Sequence, residues 1–357
     1  MNFSFKFPAV RGVQAGSEYY ISMVPMGLLG KLFSENTDNT VLPEFRAQRK
    51  LNESRIPEIA NYILENRKTY VFSALSASID GDFKFISSQD NENVGVLEVD
   101  MNAVFLINDG QHRKAAIERA IIEDESLANE TISIVFFKDE GLARSQQMFT
   151  DLNKHAVKTS NSIATLYDSR DKIGVATNTV INRIPFFKKF TDKEKDNLGK
   201  NSSNLFTLNN IYKANKKILH SDCSEEDVEF LYNYWKNVVN NIPEWNEVMN
   251  RELTKKDLRE NYIVTLAITM LAFGKLGSYF YEHKDVNMEN TLKGLSKIDW
   301  LRSSKNWENR IVRSNGKVVN NDEAVYLACN KIKELLNIPL SLEEEHREET
   351  LRRKNGK

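Results

Sequence analysis

Apolar positions recur every second residue through much of the first third of the chain, and every third or fourth residue through most of the remainder. Phe3, Phe5 and Phe7 fall on one side of a strand, and residues 18–24 form a second. The Gln14-Ala15-Gly16-Ser17 turn between them predicts an opening hairpin. A short helix is expected over 28–33. Ile56, Ile59, Ala60, Ile63 and Leu64 then mark a helix over 54–66, with Pro57 tolerated in its first turn. Strands are expected next over 70–79, where Val71, Leu75, Ala77 and Ile79 share a face, and over 83–86 after an Asp80-Gly81-Asp82 turn. The patterns at 94–99, 103–107 and 132–137 predict three more. Between the last two lies a helix over 112–122 with Ala116, Ile117, Ala120 and Ile121 on its apolar face, and a further helix over 142–152 turns Met148, Phe149 and Leu152 inward.

From Asn161 onward the pattern is almost wholly helical, apart from a charge-rich interruption at 188–204. Ser224 with Glu225, Glu226 and Asp227 is a strong helix start. Residues 258–274, apolar on nearly every side, read as one buried central helix, and 321–336 as an amphipathic one. The tail, 343–357, is nearly all charged and reads as solvated. The expected architecture is therefore α+β, a mixed strand and helix domain over 1–160 followed by a helical domain over 161–357.

Composition narrows the function classes. Lysine and arginine total 49 against 50 acids, a net charge of -1, so there is no global pull toward nucleic acid or an anionic membrane. Any DNA contact has to come from a local patch. Cys223 and Cys329 are far apart without metal-ligand spacing, which predicts a reducing, cytoplasmic setting and no metal site. The N-terminus lacks the apolar core of a secretory signal, and the longest strongly apolar run, 262–273, is too short to span a bilayer.

Candidate chemistry concentrates at Asn108-Asp109-Gly110-Gln111-His112-Arg113, between the strand at 103–107 and the helix at 112–122. A strand, a tight turn and a helix start aim free backbone N–H groups and a positive dipole end at the space above the turn. Gln111 adds an amide, His112 a group titrating near neutrality, and Arg113 a planar cation suited to phosphate or carboxylate. Two readings fit: an anion site, or an ordinary turn in which Asp109 caps the helix and Arg113 is solvated. Basic residues at Arg46, Lys50 and Arg55, and at Lys188, Lys189, Lys193, Lys195 and Lys200, are candidate DNA contacts. Asp192, Glu194 and Asp196 interleave with the second group, as they would in a solvated mixed-charge loop. No helix-turn-helix pattern stands out.

Asp109-Gly110-Gln111-His112-Arg113 matches the name-giving motif of the DGQHR-domain family. Further features are similar to the DndB family of DNA sulfur modification proteins. They are the Gln48-Arg49 box before a helix, Phe149-Thr150-Asp151-Leu152-Asn153, and Asp299-Trp300-Leu301-Arg302 with Asn306-Trp307-Glu308. The resemblance covers essentially the whole chain. It implies a fold like that of ParB and sulfiredoxin, with Gln48, Arg49, Asp109, Gly110, Gln111, His112, Arg113 and Asn153 around a phosphate or nucleotide. Gln111 stands where a sulfiredoxin has its reactive cysteine, which disfavours thiol chemistry. The family resemblance implies a repressor binding double-stranded promoter DNA of an operon for phosphorothioate modification. Such a protein is expected to be a homo-oligomer, with 262–273 a candidate interface.

The alternative is a nucleotide hydrolase, or a nuclease, in a modification or defence system. There Asp109 would orient a metal-bound water and His112 move a proton, with a nucleoside triphosphate and magnesium as cofactor. No Walker-type loop supports it, and His155 is a weaker candidate for the same site.

Overall fold

The computed structural model describes residues 4–33, 51–154, 159–219, 223–354 and 356. Contacts divide the chain into two compact units, Met1–Val157 and Lys158–Lys357.

The first unit is built on a seven-stranded mixed sheet. Its strands are β1 (Ser4–Gln14), β2 (Ser17–Pro25), β3 (Leu75–Asp80), β4 (Phe83–Ser87), β5 (Val94–Asp100), β6 (Val104–Asp109) and β7 (Thr131–Lys138), in the spatial order β4-β5-β1-β2-β7-β3-β6. Every neighbouring pair is antiparallel except β3 with β7. The β1–β2 hairpin closes where expected, with Ala15 and Gly16 both at positive φ as a tight hairpin turn requires. β7 joins two halves that, among the described residues, have no other pairing between them: β4-β5-β1-β2 on one side and β3-β6 on the other.

The helices of this unit are α1 (Leu29–Leu32), α2 (Ile56–Glu65), α3 (Gln111–Glu123) and α4 (Leu142–Lys154). Leu29 and Leu32, Ala60 and Ile63, and Ala116, Ile117 and Ala120 form one core with Phe7, Ala77, Phe105, Ile134 and Phe136 from the sheet. α1, α2 and α3 thus share one face of the sheet. α4 packs against β6 through buried Met148, whereas Leu152, expected inward, is exposed. The strand expected over 70–79 begins only at Leu75. Phe72 packs instead between Tyr62 and Tyr70, tilted against each ring, and Val71 points into solvent.

The second unit contains α5 (Asn161–Tyr167), α6 (Lys172–Arg183), α7 (Pro185–Phe190), α8 (Leu208–Ile218), α9 (Glu225–Asn240), α10 (Pro243–Asn250), α11 (Lys255–Asn261), α12 (Ala267–Glu282), α13 (Met288–Leu292), α14 (Asp322–Leu335) and α15 (Leu342–Lys354). Two short strands, β8 (Thr191–Asp192) and β9 (Phe206–Thr207), pair in parallel. The expected capping box is present at Ser224, whose side chain accepts from the Asp227 N–H while the Asp227 carboxylate accepts from the Ser224 N–H. α12 lies close against α8, and Gly274 permits this, since a Cβ there would sit 2.5 Å from the Ala214 carbonyl oxygen.

Two expectations fail here. The single helix over 258–274 is two helices, α11 and α12. The break between them is held open by a bridge of Tyr262 to Leu301, with the Ile263 N–H donating to the Trp300 carbonyl at 3.0 Å. Ile263, Val264, Ile268, Met270, Ala272 and Phe273 are all buried in the unit's own core, and Tyr262, Leu266 and Leu271 are half-buried. Nor is the charged tail wholly solvated: most of its described side chains are exposed, but it forms α15 with Glu348 buried against the rest of the unit. Arg310 forks onto Glu348 at 2.6 and 2.5 Å, the Asn330 amide donates to Glu348 at 3.1 Å, and Lys333 pairs with Glu344 at 2.6 Å.

Glu348→Ala leaves Arg310 buried without its counter-ion and is expected to cost about 3–5 kcal/mol. Arg353→Ala, on the exposed side of the same helix, should change stability by less than about 0.5 kcal/mol. Denaturant melts of the two variants check this, and equal stabilities would show that α15 is not held by its buried pair.

Candidate functional site

The Asp109–Arg113 turn joins β6 to α3. Its centre is Gly110, at φ 105°, the left-handed region that glycine alone enters freely. A Cβ there would also meet Leu75 Cδ2 at 2.4 Å. Gly110 occupies the N-cap position and supplies no side-chain cap. The first backbone bond of the helix runs from the Lys114 N–H to the Gly110 carbonyl at 3.0 Å, so the N–H groups of Gln111, His112 and Arg113 have no acceptor within α3.

Neither side chain of the turn does what the ordinary-turn reading expects. Asp109 does not cap the helix, because its carboxylate accepts from Arg113 Nη2. Arg113 is mostly buried rather than solvated. Its Nη1 donates to the carbonyls of Ser73 at 2.9 Å and Ala74 at 3.0 Å, and to the Ser73 hydroxyl. The guanidinium is therefore a brace tying the end of β6 to the segment that enters β3. Nη1 is thus taken up by Ser73 and Ala74, and Nη2 by Asp109.

His112 faces the other way. Its Nε2 accepts the Asn52 N–H at 3.0 Å, which makes Nε2 the unprotonated ring nitrogen in this arrangement. Asn52 in turn accepts from the N–H and hydroxyl of Ser54 and opens a 3₁₀ turn over Glu53–Arg55 that leads into α2. Arg55 is exposed on that turn. The motif, the approach to α2 and an exposed cation are thus brought together.

Two amides at the turn are incompletely satisfied among the described residues. Gln111 Nε2 is enclosed and has no partner there. Asn108 is buried beside a register shift in the β3–β6 pairing. It donates to Ser78 Oγ at 2.7 Å and to Met148 Sδ at 3.2 Å, while its Oδ1 accepts nothing from the described residues. Ser78 and Met148 were not expected at the site, and no spacing in the chain links them to it. Arg46, Gln48, Arg49, Lys50 and His155 lie outside the described residues, and Asn153 is in the last turn of α4.

The lysine cluster is better organised than its sequence implies. Lys188 and Lys189 are exposed at the C-terminal end of α7, where cations complement the helix dipole. Lys189 Nζ lies 5.2 Å from the Phe190 ring centroid, and Lys255 Nζ, from the start of α11, lies 5.8 Å from the same ring. Lys255 was not expected here, being far away in the chain. Of the three interleaved acids Glu194 is exposed, while Asp192 and Asp196 are turned to backbone donors. Asp192 accepts from the N–H groups of Glu194 and Lys195 and from Asn204, and Asp196 accepts from the N–H groups of Asn161 and Ser162. Burial works against both charges, but these donors outweigh it and hold both carboxyls below their ordinary range. Lys193 is spent locally, donating to Asn178 at 2.8 Å and Asn182 at 3.0 Å. Burial, with Lys188 nearby, lowers its pKa.

The brace predicts that Arg113→Lys costs about 1–3 kcal/mol, because an ammonium cannot span Asp109 and two carbonyls at once. Gly110→Ala should cost more than about 1 kcal/mol through strain and the Leu75 contact. Thermal melts read both, and a wild-type melting temperature for Arg113→Lys would show that the turn does not depend on the fork.

Neither a curated protein nor a solved structure matches the chain. The family model DndB, described as DNA-sulfur modification-associated, matches residues 7–339, which includes the braced turn, the lysine cluster and the Asp299–Trp307 stretch. By that match over nearly its whole length, the chain belongs to the DndB family of DNA sulfur modification proteins.

Proposed function

We propose that this protein is a cytoplasmic DNA-binding regulator, a repressor that binds the promoter of an operon for DNA phosphorothioate modification. The observation that carries the reading is the lysine patch. Lys189 and Lys255 converge on Phe190 and Lys188 is exposed beside them, while two of the three acids in this stretch, Asp192 and Asp196, are withdrawn into backbone capping. A chain with a net charge of -1 acquires in this way a local positive surface, which is the footprint that contact with a phosphate backbone requires.

The first turn of α3 supports a second phosphate contact, with the resembling ParB-like folds as its model. The N–H group of Gln111, its side-chain amide and the exposed Arg55 supply donors to an anion. Arg113 holds the turn in shape rather than touching the phosphate. A hydrolase at this turn draws less support, since the Asp109 carboxylate is taken by Arg113 and His112 Nε2 by the Asn52 N–H.

Binding of the purified protein to its own operon promoter tests the proposal. Promoter duplex is expected to bind more tightly than random duplex, with affinity falling steeply as salt rises. Lys188→Ala combined with Lys189→Ala should weaken both duplexes alike and flatten the log–log salt slope by about two. Equal binding of promoter and random duplex by the wild type would sink the regulator reading. An unchanged slope in the double variant would move the DNA surface off this patch.

A further inference from the structure

The sheet of the first unit has two faces, and only one is fully furnished with helices. On the outer face α4 covers β6, and among the described residues no other helix of this unit packs there. The pairing register shows the surface left over. One row across the strands reads Val94, Val10, Ile21 and Val135, and the next reads Ile86, Val96, Pro8, Met23 and Ser133. Val10 is 50% exposed, Ile21 37%, Met23 58%, Ile86 47% and Val94 44%.

An antiparallel sheet with one wet face alternates apolar with polar along each strand. β2 does not. Tyr19, Ile21 and Met23 point outward while Tyr20 and Val24 point into the core, so the strand is apolar on both sides. Such a strand is composed for a partner on each face. Together the two rows present on the order of 500 Å² of contiguous apolar surface, the size of the largest patch on a monomer, which often serves a contact. With its rim, the patch approaches the roughly 800 Å² per partner of a standard stable interface.

We infer that this face pairs with the same face of a second copy, sheet on sheet, in a two-fold dimer. The rim agrees with a self-complementary contact. At one end of the rows Glu98 is flanked by Lys84 at 2.9 Å and Lys6 at 3.1 Å and accepts from Ser4, so its charge is matched within the protomer. At the other end stand Gln14 and Ser17, with the β4–β5 turn and its exposed Asp90 and Glu92 beside them. A two-fold axis running across the strands sets the Lys84–Glu98–Lys6 row of each copy, two cations to one anion, over that acidic end of the other. Stacked sheets of this kind lie about 10 Å apart, with their side chains interleaved. The contact does not depend on the DNA reading, although paired subunits suit a two-fold operator.

Sedimentation of the full chain tests it. The wild type is expected to be a dimer at micromolar concentration. Val10→Lys combined with Met23→Lys should raise the dimer dissociation constant at least about a hundredfold while leaving the melting temperature of the monomer unchanged. Ile21→Cys, a smaller change, should form a cross-linked dimer on mild oxidation. The wild type, with Cys329 buried and Cys223 half-buried, should not. A monomeric wild type overturns the proposal, as does a dimer that survives the double lysine variant. A monomer destabilised by the lysines would assign the face to another part of the same chain, and also overturns it.

Discussion

The guanidinium of Arg113 sets the local geometry on which the candidate phosphate site rests. It sits between the Asp109 carboxylate and two backbone carbonyls of the segment entering β3. Three chain segments therefore meet at one planar group: the end of the edge strand, the first turn of α3 and the approach to β3. With that group in place Gly110 can hold its left-handed conformation, and α3 starts without a side-chain cap. The N–H groups of such a helix start find no acceptor within the helix itself. Arg113 shapes the turn, and the Gln111 amide beside it stays enclosed.

The lysine patch obeys a different logic. Local charge on a protein surface depends on which side chains reach solvent, not on the order of residues along the chain. Asp192 and Asp196 fall among lysines in sequence but spend their oxygens on backbone N–H groups, and Lys193 spends its ammonium on two asparagines. Lys188 and Lys189 reach the surface, joined by Lys255 from an element sixty-odd residues later. A charge count over a window sees none of this sorting.

The same distinction explains what the sequence disclosed. The hairpin, the helix at 56–65 and the strand, turn and helix around Gly110 were legible because each is dictated by residues within a few positions of one another. The family was legible because the Asp109–Arg113 motif came with flanking patterns over most of the chain. The break between α11 and α12 carries no glycine or proline and is imposed by pairing with Leu301, so no local signal announced it. The tail was misread for a related reason: the partners that bury Glu348 are Arg310 and Asn330, distant in sequence. The brace on Arg113 was hidden in the same way, since half of it is backbone at Ser73 and Ala74.

The place of β7 in the sheet has a consequence for how the first unit comes into being. Strands β4, β5, β1 and β2 can pair as soon as residue 100 exists, and β3 can meet β6 by residue 109, but the two groups share no edge until β7 arrives at residues 131–138. During synthesis the nascent chain therefore holds two half-sheets with open edges. The parallel β3–β7 pairing that unites them is non-local, and such contacts form slowly. The turn at Gly110 belongs to the half that waits. Its N–H groups at the start of α3 take their final setting only after a strand outside the turn has closed the sheet. The vulnerable interval in this protein's life is then the time between its two half-sheets and their joining, when unpaired strand edges are most open to other chains.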